Sequence, residues 1–129
     1  MDPRVERAQQ LFWEVEALRR KGVYPAALPR LLEMARLHEE RACELLQAGD
    51  PDGWTDLFAA VTAWGEARRR DEANRLLTRG HEFVVVPGAK QAAIETELRR
   101  LEAWLDALPS APTAAVPDAA NALVEPVRE

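Results

Sequence analysis

The polar residues best suited to chemistry lie in one short run, His38 to Ala42. A histidine followed by a glutamate opens the helical zinc-binding pattern His-Glu-x-x-His, which sets two imidazoles one turn apart. Ala42 occupies the second histidine position, so the ligand set is incomplete. Bundles that bind two metal ions need Glu-x-x-His pairs, and neither His38 nor His81 follows a glutamate at that spacing. We therefore expect no metal and no cofactor, and interpret the run as a solvated polar helix face.

Nucleophilic and acid–base catalysis find no better support in the chain. A nucleophilic thiol needs a neighbouring base and a lowered pKa. The single cysteine, Cys43, lies beside Ala42 and near Leu46, which indicates a small, half-buried side chain. Carboxylate pairs such as Glu39 and Glu40 lie on polar helix faces, where solvation explains them. The glycines occur singly rather than in a phosphate-binding loop. The sequence therefore predicts a protein that is not an enzyme.

The strongest local charge cluster is arginine-rich. It could bind a phosphate or an acidic peptide. Alternatively, it is a solvated turn whose cations stabilise the end of the preceding helix, and we favour this interpretation. The net charge of −5 argues against nucleic acid as a partner. The candidate anion-binding residues are Arg68, Arg69, Arg70 and Arg75.

Composition indicates one packed domain. The chain has 129 residues, of which 47% are hydrophobic and 30% charged, as expected for a protein with a buried core. One cysteine cannot form an internal disulfide, which fits a reducing cytoplasm. We see no signal peptide at the N-terminus and no run of about 18 apolar residues that would cross a membrane. A soluble cytoplasmic protein is expected.

Apolar residues recur at steps of three and four along the chain, which predicts about five amphipathic helices. The first helix covers 3–21, with Asp2 as its N-cap residue and Pro3 at its first position. The second covers about 26–48, so Pro29 would fall in the first turn, where no internal N–H bond is lost. The predicted inward stripe of the first helix is Val5, Ala8, Leu11, Phe12, Val15 and Leu18.

Residues 54–80 predict the third and fourth helices, and 89–108 predict the fifth. Asp71 is a suitable N-cap for the fourth helix, which we extend to about Val85. The middle of the second helix, 36–44, is almost entirely polar, so that helix should overhang its neighbours or bend there. After Pro109, four prolines and six alanines occur within 109–129. This composition predicts a helical domain over 1–108 and a linker-like tail with a short helical turn at 119–124.

An internal repeat accompanies this pattern. A shift of 46 residues places Leu11-Phe12 on Leu57-Phe58, Val15 on Val61 and Ala27 on Ala73. Whether the repetition is real stays open, but two such hairpins would each expose an apolar face that stacking buries.

Residues 51–86 resemble a tetratricopeptide repeat, a unit of stacked helical hairpins. Trp64 matches the aromatic position of its first helix, Ala73 the early alanine of its second and Gly80 a later small position. Val61 departs from the pattern, because it occupies a position that is small in the family. The spacing of 46 residues also exceeds the family's 34. The resemblance implies an all-α stack of antiparallel hairpins.

By this resemblance the protein is a protein-interaction or scaffolding module, and the first helix of each hairpin lines a groove that holds a partner segment. The residues that would face the segment are Gln9, Glu16, Arg19, Thr55, Thr62 and Glu66.

The four tryptophans divide into two pairs. Trp64 and Trp104 lie on apolar stripes and are predicted to be core residues. Trp13 and Trp54 are either core-edge residues or interface anchors, since a partly covered indole often anchors a protein partner. One alternative function is a homodimer with Trp13 or Trp54 at its seam. Another is regulatory binding of nucleic acid or phosphate through the arginines, and the tail could also occupy the groove itself.

Overall fold

Five α-helices make up the computed structural model, which describes residues 2–83 and 89–108. They are α1 (Pro3–Arg20), α2 (Tyr24–Gln47), α3 (Gly53–Glu66), α4 (Arg70–Glu82) and α5 (Ala89–Ala107). Within those ranges the protein contains no strand, so the all-α prediction is confirmed. The predicted tail and the predicted end of the fourth helix at Val85 lie outside the described residues.

Consecutive helices run antiparallel. Arg4 at the start of α1 lies 2.7 Å from the Glu44 carboxylate near the end of α2. Gly53 begins α3 directly against the last turns of α2. Arg70, the first residue of α4, donates a hydrogen bond to the carbonyl of Leu108, just after α5. The chain is therefore a stack of antiparallel helical hairpins, with α2 packed between α1 and α3.

The core takes residues from all five helices at the predicted helical spacing. Trp64 is 4% exposed, as predicted, and Trp104 is half-buried with its ring packed on Gly65 of α3. Burying a single leucine or valine side chain in this core stabilises the fold by about 1.5–3 kcal/mol. The largest fully buried side chains are Leu11, Leu31, Leu57, Val61, Leu76, Leu77, Leu98, Leu101 and Leu105.

The N-terminus of α1 is capped as predicted. The Asp2 carboxylate accepts a hydrogen bond of 2.9 Å from the Arg4 backbone N–H, and Pro3 follows at the first helical position. The same carboxylate also accepts from the Arg4 guanidinium. These bonds satisfy a backbone donor that the helix leaves free at its start.

The starts of α2 and α4 differ from the predictions. Because Gly22 adopts a left-handed conformation (φ +71°), the chain reverses quickly and α2 begins at Tyr24. Pro29 therefore lies inside the helix rather than in its first turn. The predicted N-cap Asp71 is also wrong, because α4 begins one residue earlier, at Arg70. Asp71 instead lies in the first turn, where its charge still suits the helix dipole.

The polar middle of α2 does not overhang its neighbours and is only partly exposed, so the predictions of an overhang and of a solvated face are wrong. The bend predicted as the alternative stays a prediction. Glu39 accepts a 2.9 Å hydrogen bond from the Trp64 indole and a 2.9 Å bond from Arg75. His38 and Arg41 both bond to Asp56 of α3. Helices α3 and α4 therefore supply polar partners for these side chains.

The contact between α2 and α3 predicts that Gly53 cannot carry a side chain. A Cβ built at Gly53 would lie 2.9 Å from the Leu45 Cβ and 3.0 Å from the Ala42 carbonyl oxygen. Gly53→Ala should therefore lower the free energy of unfolding by about 1–3 kcal/mol in urea titrations. Gly80→Ala is the control, because its Cβ would meet only side-chain methyl groups, at 3.3 Å from Leu98 and 3.4 Å from Leu57. Its helix-propensity gain of about 1 kcal/mol offsets those contacts, and equal losses in the two variants would contradict the packing.

The cap of α1 predicts a pH-dependent contribution to stability. Hydrogen bonds from Arg4 lower the pKa of the Asp2 carboxyl from 3.8 to about 2. Because the folded pKa is lowered, this stabilisation is complete above pH 3.8 and is lost as the pH falls to about 2. Asp2→Asn keeps a capping oxygen but has no titrating charge. The stability difference between wild type and Asp2→Asn should shrink across this window, and a constant difference would refute the assignment.

Candidate functional site

A groove of about 640 Å³ lies between α1 and α3, and α2 forms its floor. Helix α1 lines one wall with Val5, Ala8, Gln9, Phe12, Trp13, Val15, Glu16 and Arg19. Helix α2 contributes Leu31, Met34 and His38. Helix α3 lines the other wall with Phe58, Ala59, Thr62, Ala63 and Glu66.

The aromatic wall of the groove arises from a second stripe on α1. Leu11 and Val15 are buried against the core, whereas Phe12 is 45% exposed and Trp13 is 59% exposed. Their rings form an edge-to-face pair with centroids 5.2 Å apart. The prediction that Phe12 points inward is therefore wrong. Because α1 and α3 both pack on α2, the face of α1 toward α3 stays open.

The predicted partner-facing residues converge on this groove with one exception. Gln9, Glu16, Arg19, Thr62 and Glu66 all line it. Thr55 does not, and instead borders a separate hollow of about 370 Å³.

The two undecided tryptophans have different surroundings. Trp13 is exposed in the groove wall. Trp54 is 5% exposed and packs beside Phe58, with ring centroids 5.9 Å apart. Trp54 is therefore a core residue and is not available as an interface anchor.

Sequence reasoning missed the groove residues Phe12, Phe58 and Met34, because it assigned Phe12 to the core stripe of the first helix and gave Phe58 and Met34 no place in a site. Phe58 is half-buried in the opposite wall, and Met34 lies in the floor. One signal in the sequence could have identified the two phenylalanines as groove residues. Phe12 and Phe58 are matched by the 46-residue shift, so they occupy equivalent positions on the two helices that form the walls.

An ion-pair cluster spans one end of the groove. The Arg19 guanidinium on α1 lies 2.6 Å from the Glu66 carboxylate on α3 and 3.2 Å from Glu16. The Tyr24 hydroxyl donates a 2.5 Å hydrogen bond to the Glu66 carbonyl, and burial raises the pKa of Tyr24. The cluster therefore connects the two walls at this end of the groove, although exposed ion pairs add little stability.

A buried carboxylate lies beneath the other part of the groove. Among the described residues, Asp56 is the buried charged side chain, at 6% exposure. It lies 2.9 Å from the His38 Nδ1 and also bonds to Arg41, which is 3.4 Å from Asp2. His38 borders both the groove and the smaller hollow. The carboxylate therefore fixes the orientation of the one imidazole in the groove floor.

The four candidate anion-binding arginines have different environments. Arg69 lies over the Trp64 ring, 5.7 Å from its centroid, and Arg70 donates to a backbone carbonyl. Arg75 donates hydrogen bonds to Glu72 and Glu39, and the bond to the Glu72 carboxylate is the main cause that raises the pKa of Arg75. Arg68 is exposed in the turn before α4, with a left-handed φ of +63°. Arg69 and Arg75 also share Glu72 as an ion-pair partner. Arg69, Arg70 and Arg75 thus all have interactions within the protein.

The remaining candidate groups show ordinary structural environments. Cys43 is half-buried, and burial raises the pKa of its thiol. In the described ranges no three His, Cys, Asp or Glu side chains are placed to hold a metal ion. None of the helices described here has the length and hydropathy needed to cross a membrane.

No protein-family model matches this chain, and no curated protein or solved structure matches it either. Fold and site together define an all-α protein of stacked antiparallel hairpins with an aromatic groove between the first and third helices.

The buried carboxylate yields a stability prediction. Asp56→Ala removes charged hydrogen bonds from His38 and Arg41, so the free energy of unfolding should fall by about 2–3 kcal/mol. Glu14→Ala is the matched control, because its 2.8 Å pair with Arg30 lies nearer the surface, with the side chains 34% and 41% exposed, and should contribute little. Urea titration of both variants measures the difference. A loss for Asp56→Ala no larger than that for Glu14→Ala would contradict a structural role for the carboxylate.

Proposed function

We propose that this chain is a non-catalytic protein-interaction module that binds an apolar segment of a partner protein in the groove between α1 and α3. The observation that carries the proposal is the exposed pair of Phe12 and Trp13 in the wall of an apolar groove. The resemblance to tetratricopeptide repeats supports it, because that family binds its partners along the first helices of successive hairpins. We further propose that the protein works in the cytoplasm, in keeping with its single cysteine.

The chemistry of the groove favours a peptide occupant. Aromatic side chains with a polar rim are typical of protein interfaces, and here the rim contains Glu16, Arg19 and Glu66. Met34 in the floor supplies an adaptable apolar surface. From Val5 to Arg19 the wall is about 21 Å long at 1.5 Å per residue. That length accommodates about six residues of extended chain or four turns of helix.

A homodimer is the second candidate function. The exposed Phe12 and Trp13 could pack against a second copy of the same surface, whereas Trp54 is too buried to take part. Light scattering over a concentration series separates the two proposals, because a strict monomer excludes the dimer. Binding of nucleic acid or phosphate has less support, since Arg69, Arg70 and Arg75 already have partners within the protein.

The groove proposal is tested by two matched substitutions on α3. Thr62 lines the groove, and Thr55 borders the separate hollow about two helical turns away. Peptides selected from a random phage-displayed library on the immobilised wild-type chain serve as probes. Thr62→Arg should fill the groove and weaken their binding at least about tenfold, or about 1.4 kcal/mol. Thr55→Arg should leave binding unchanged.

Calorimetric titration measures both affinities, and circular dichroism confirms that both variants fold. Retention of full affinity by Thr62→Arg, or an equal loss in both variants, would show that the peptides bind elsewhere.

A further inference from the structure

We propose that the chain carries its own ligand for the groove. Residues 109–129 would enter the space between α1 and α3 and occupy it until a partner segment displaces them. The inference rests on the proposed function, because it treats the groove as a docking surface. It adds a regulatory consequence, since partner binding would then have to compete with an intramolecular segment.

The position at which this segment leaves the helices supports the inference. Leu105 and Trp104 near the end of α5 pack on Gly65 of α3, and the Leu108 carbonyl accepts a hydrogen bond from Arg70. The residue after Gly65 is Glu66, which lines the groove on another face of the same helix. Helix α5 therefore ends beside the end of the groove that Arg19 and Glu66 span.

The length of the segment is more than sufficient. An α-helix with its side chains is about 10–12 Å wide, so about four extended residues carry the chain around the end of α3. The groove beyond is about 21 Å long by the rise of α1. Residues from about 114 onward can therefore reach all of the groove, because an extended chain covers about 3.3 Å per residue.

The composition of the segment suits an aromatic groove. Residues 109–129 contain four prolines and six alanines, a composition that favours the extended polyproline II conformation. Such segments bind aromatic-lined grooves at low entropic cost, because their conformation is already restricted. The larger apolar side chains of the segment are Val116, Leu123, Val124 and Val127. They match the aromatic groove walls of Phe12, Trp13 and Phe58.

Attachment to the same chain favours this occupant over a free one. Attachment through a short connection gives an effective concentration in the millimolar range, so even weak apolar contacts would fill the groove. Occupation would also cover Phe12 and Trp13, which form an exposed apolar pair of the kind that soluble proteins usually shield.

A spin label on the segment tests the inference in the full chain. The background is Cys43→Ala, so that Ala122→Cys provides the single labelled thiol. Paramagnetic broadening of backbone amide signals then reports which surface lies near position 122. We expect loss of signal for amides around Trp13 and Thr62 in the groove walls. Signals of Asn74 and Thr78, on the exposed face of α4, should be retained.

Two matched variants and a mixing control sharpen the result. Leu123→Ser with Val124→Ser in the labelled chain should restore the groove signals, and Phe12→Ser with Trp13→Ser should abolish the selective broadening. Mixing spin-labelled chain with isotope-labelled chain that carries no spin label should give no selective broadening. Broadening in the mixture would make a second copy the occupant, and uniform broadening in the single chain would overturn the proposal.

Failure of this inference can be distinguished from failure of the proposed function. If the groove amides are unaffected by the label but selected peptides still lose affinity with Thr62→Arg, the groove binds partners and the segment does not occupy it. If the label broadens the groove amides, Leu123→Ser with Val124→Ser should strengthen peptide binding several-fold. Peptide binding that stays absent in that variant would refute the partner function and leave the intramolecular contact in place.

Discussion

The arrangement depends on one constraint, namely that α1 and α3 both pack on α2 and hardly touch each other in the described part of the chain. Helix α2 is the longest of the described helices and has neighbours on two sides. Ion pairs flank its contact with α1, such as the 2.8 Å pair between Arg7 and Glu33. Apolar residues fill the interior, and the close approach at Gly53 fixes the contact with α3. The groove is the space that remains between two walls held by a shared floor.

Polar contacts then set the positions of the walls. Asp56 binds His38 and Arg41 across the α2–α3 contact, while Arg19 and Glu66 connect α1 to α3 at the groove end. A buried ion pair adds little net stability compared with apolar packing, but an unpaired buried charge is costly. Displacing α3 along α2 would therefore leave Asp56 without partners. We interpret the Asp56 cluster as a device that fixes the register of the two helices.

Much of the fold could be predicted from the sequence, because helical periodicity depends on local residue order. The five helices and most of the buried stripe follow from that periodicity. The Asp2 cap follows from an aspartate placed directly before Pro3. Helix starts were predicted less well where backbone conformation decided them, as with the left-handed Gly22 before α2 and Arg68 before α4. Such conformations depend on the packing of the helices on either side of the turn.

The site was predictable in part, because the rim residues of a groove follow from helical spacing once the stacking is assumed. Gln9, Glu16 and Thr62, which the resemblance assigns to the partner-facing side, line the groove between α1 and α3. Phe12 was assigned to the core because an apolar residue in the sequence does not show whether another helix packs on its face of α1. The pairing of Asp56 with His38 could not be predicted for a similar reason, since only the antiparallel packing of α3 on α2 brings the two residues together.

The uneven exposure of the tryptophans gives the molecule a built-in optical signal. Trp54 and Trp64 are almost fully buried, and Trp104 is half-buried against α3. Trp13 is the indole that faces water, at 59% exposure, and it lies in the groove wall. Light emitted by an indole moves to shorter wavelength when water leaves its surroundings. The intrinsic fluorescence of the unmodified chain therefore reports whether its groove is filled, without any attached dye.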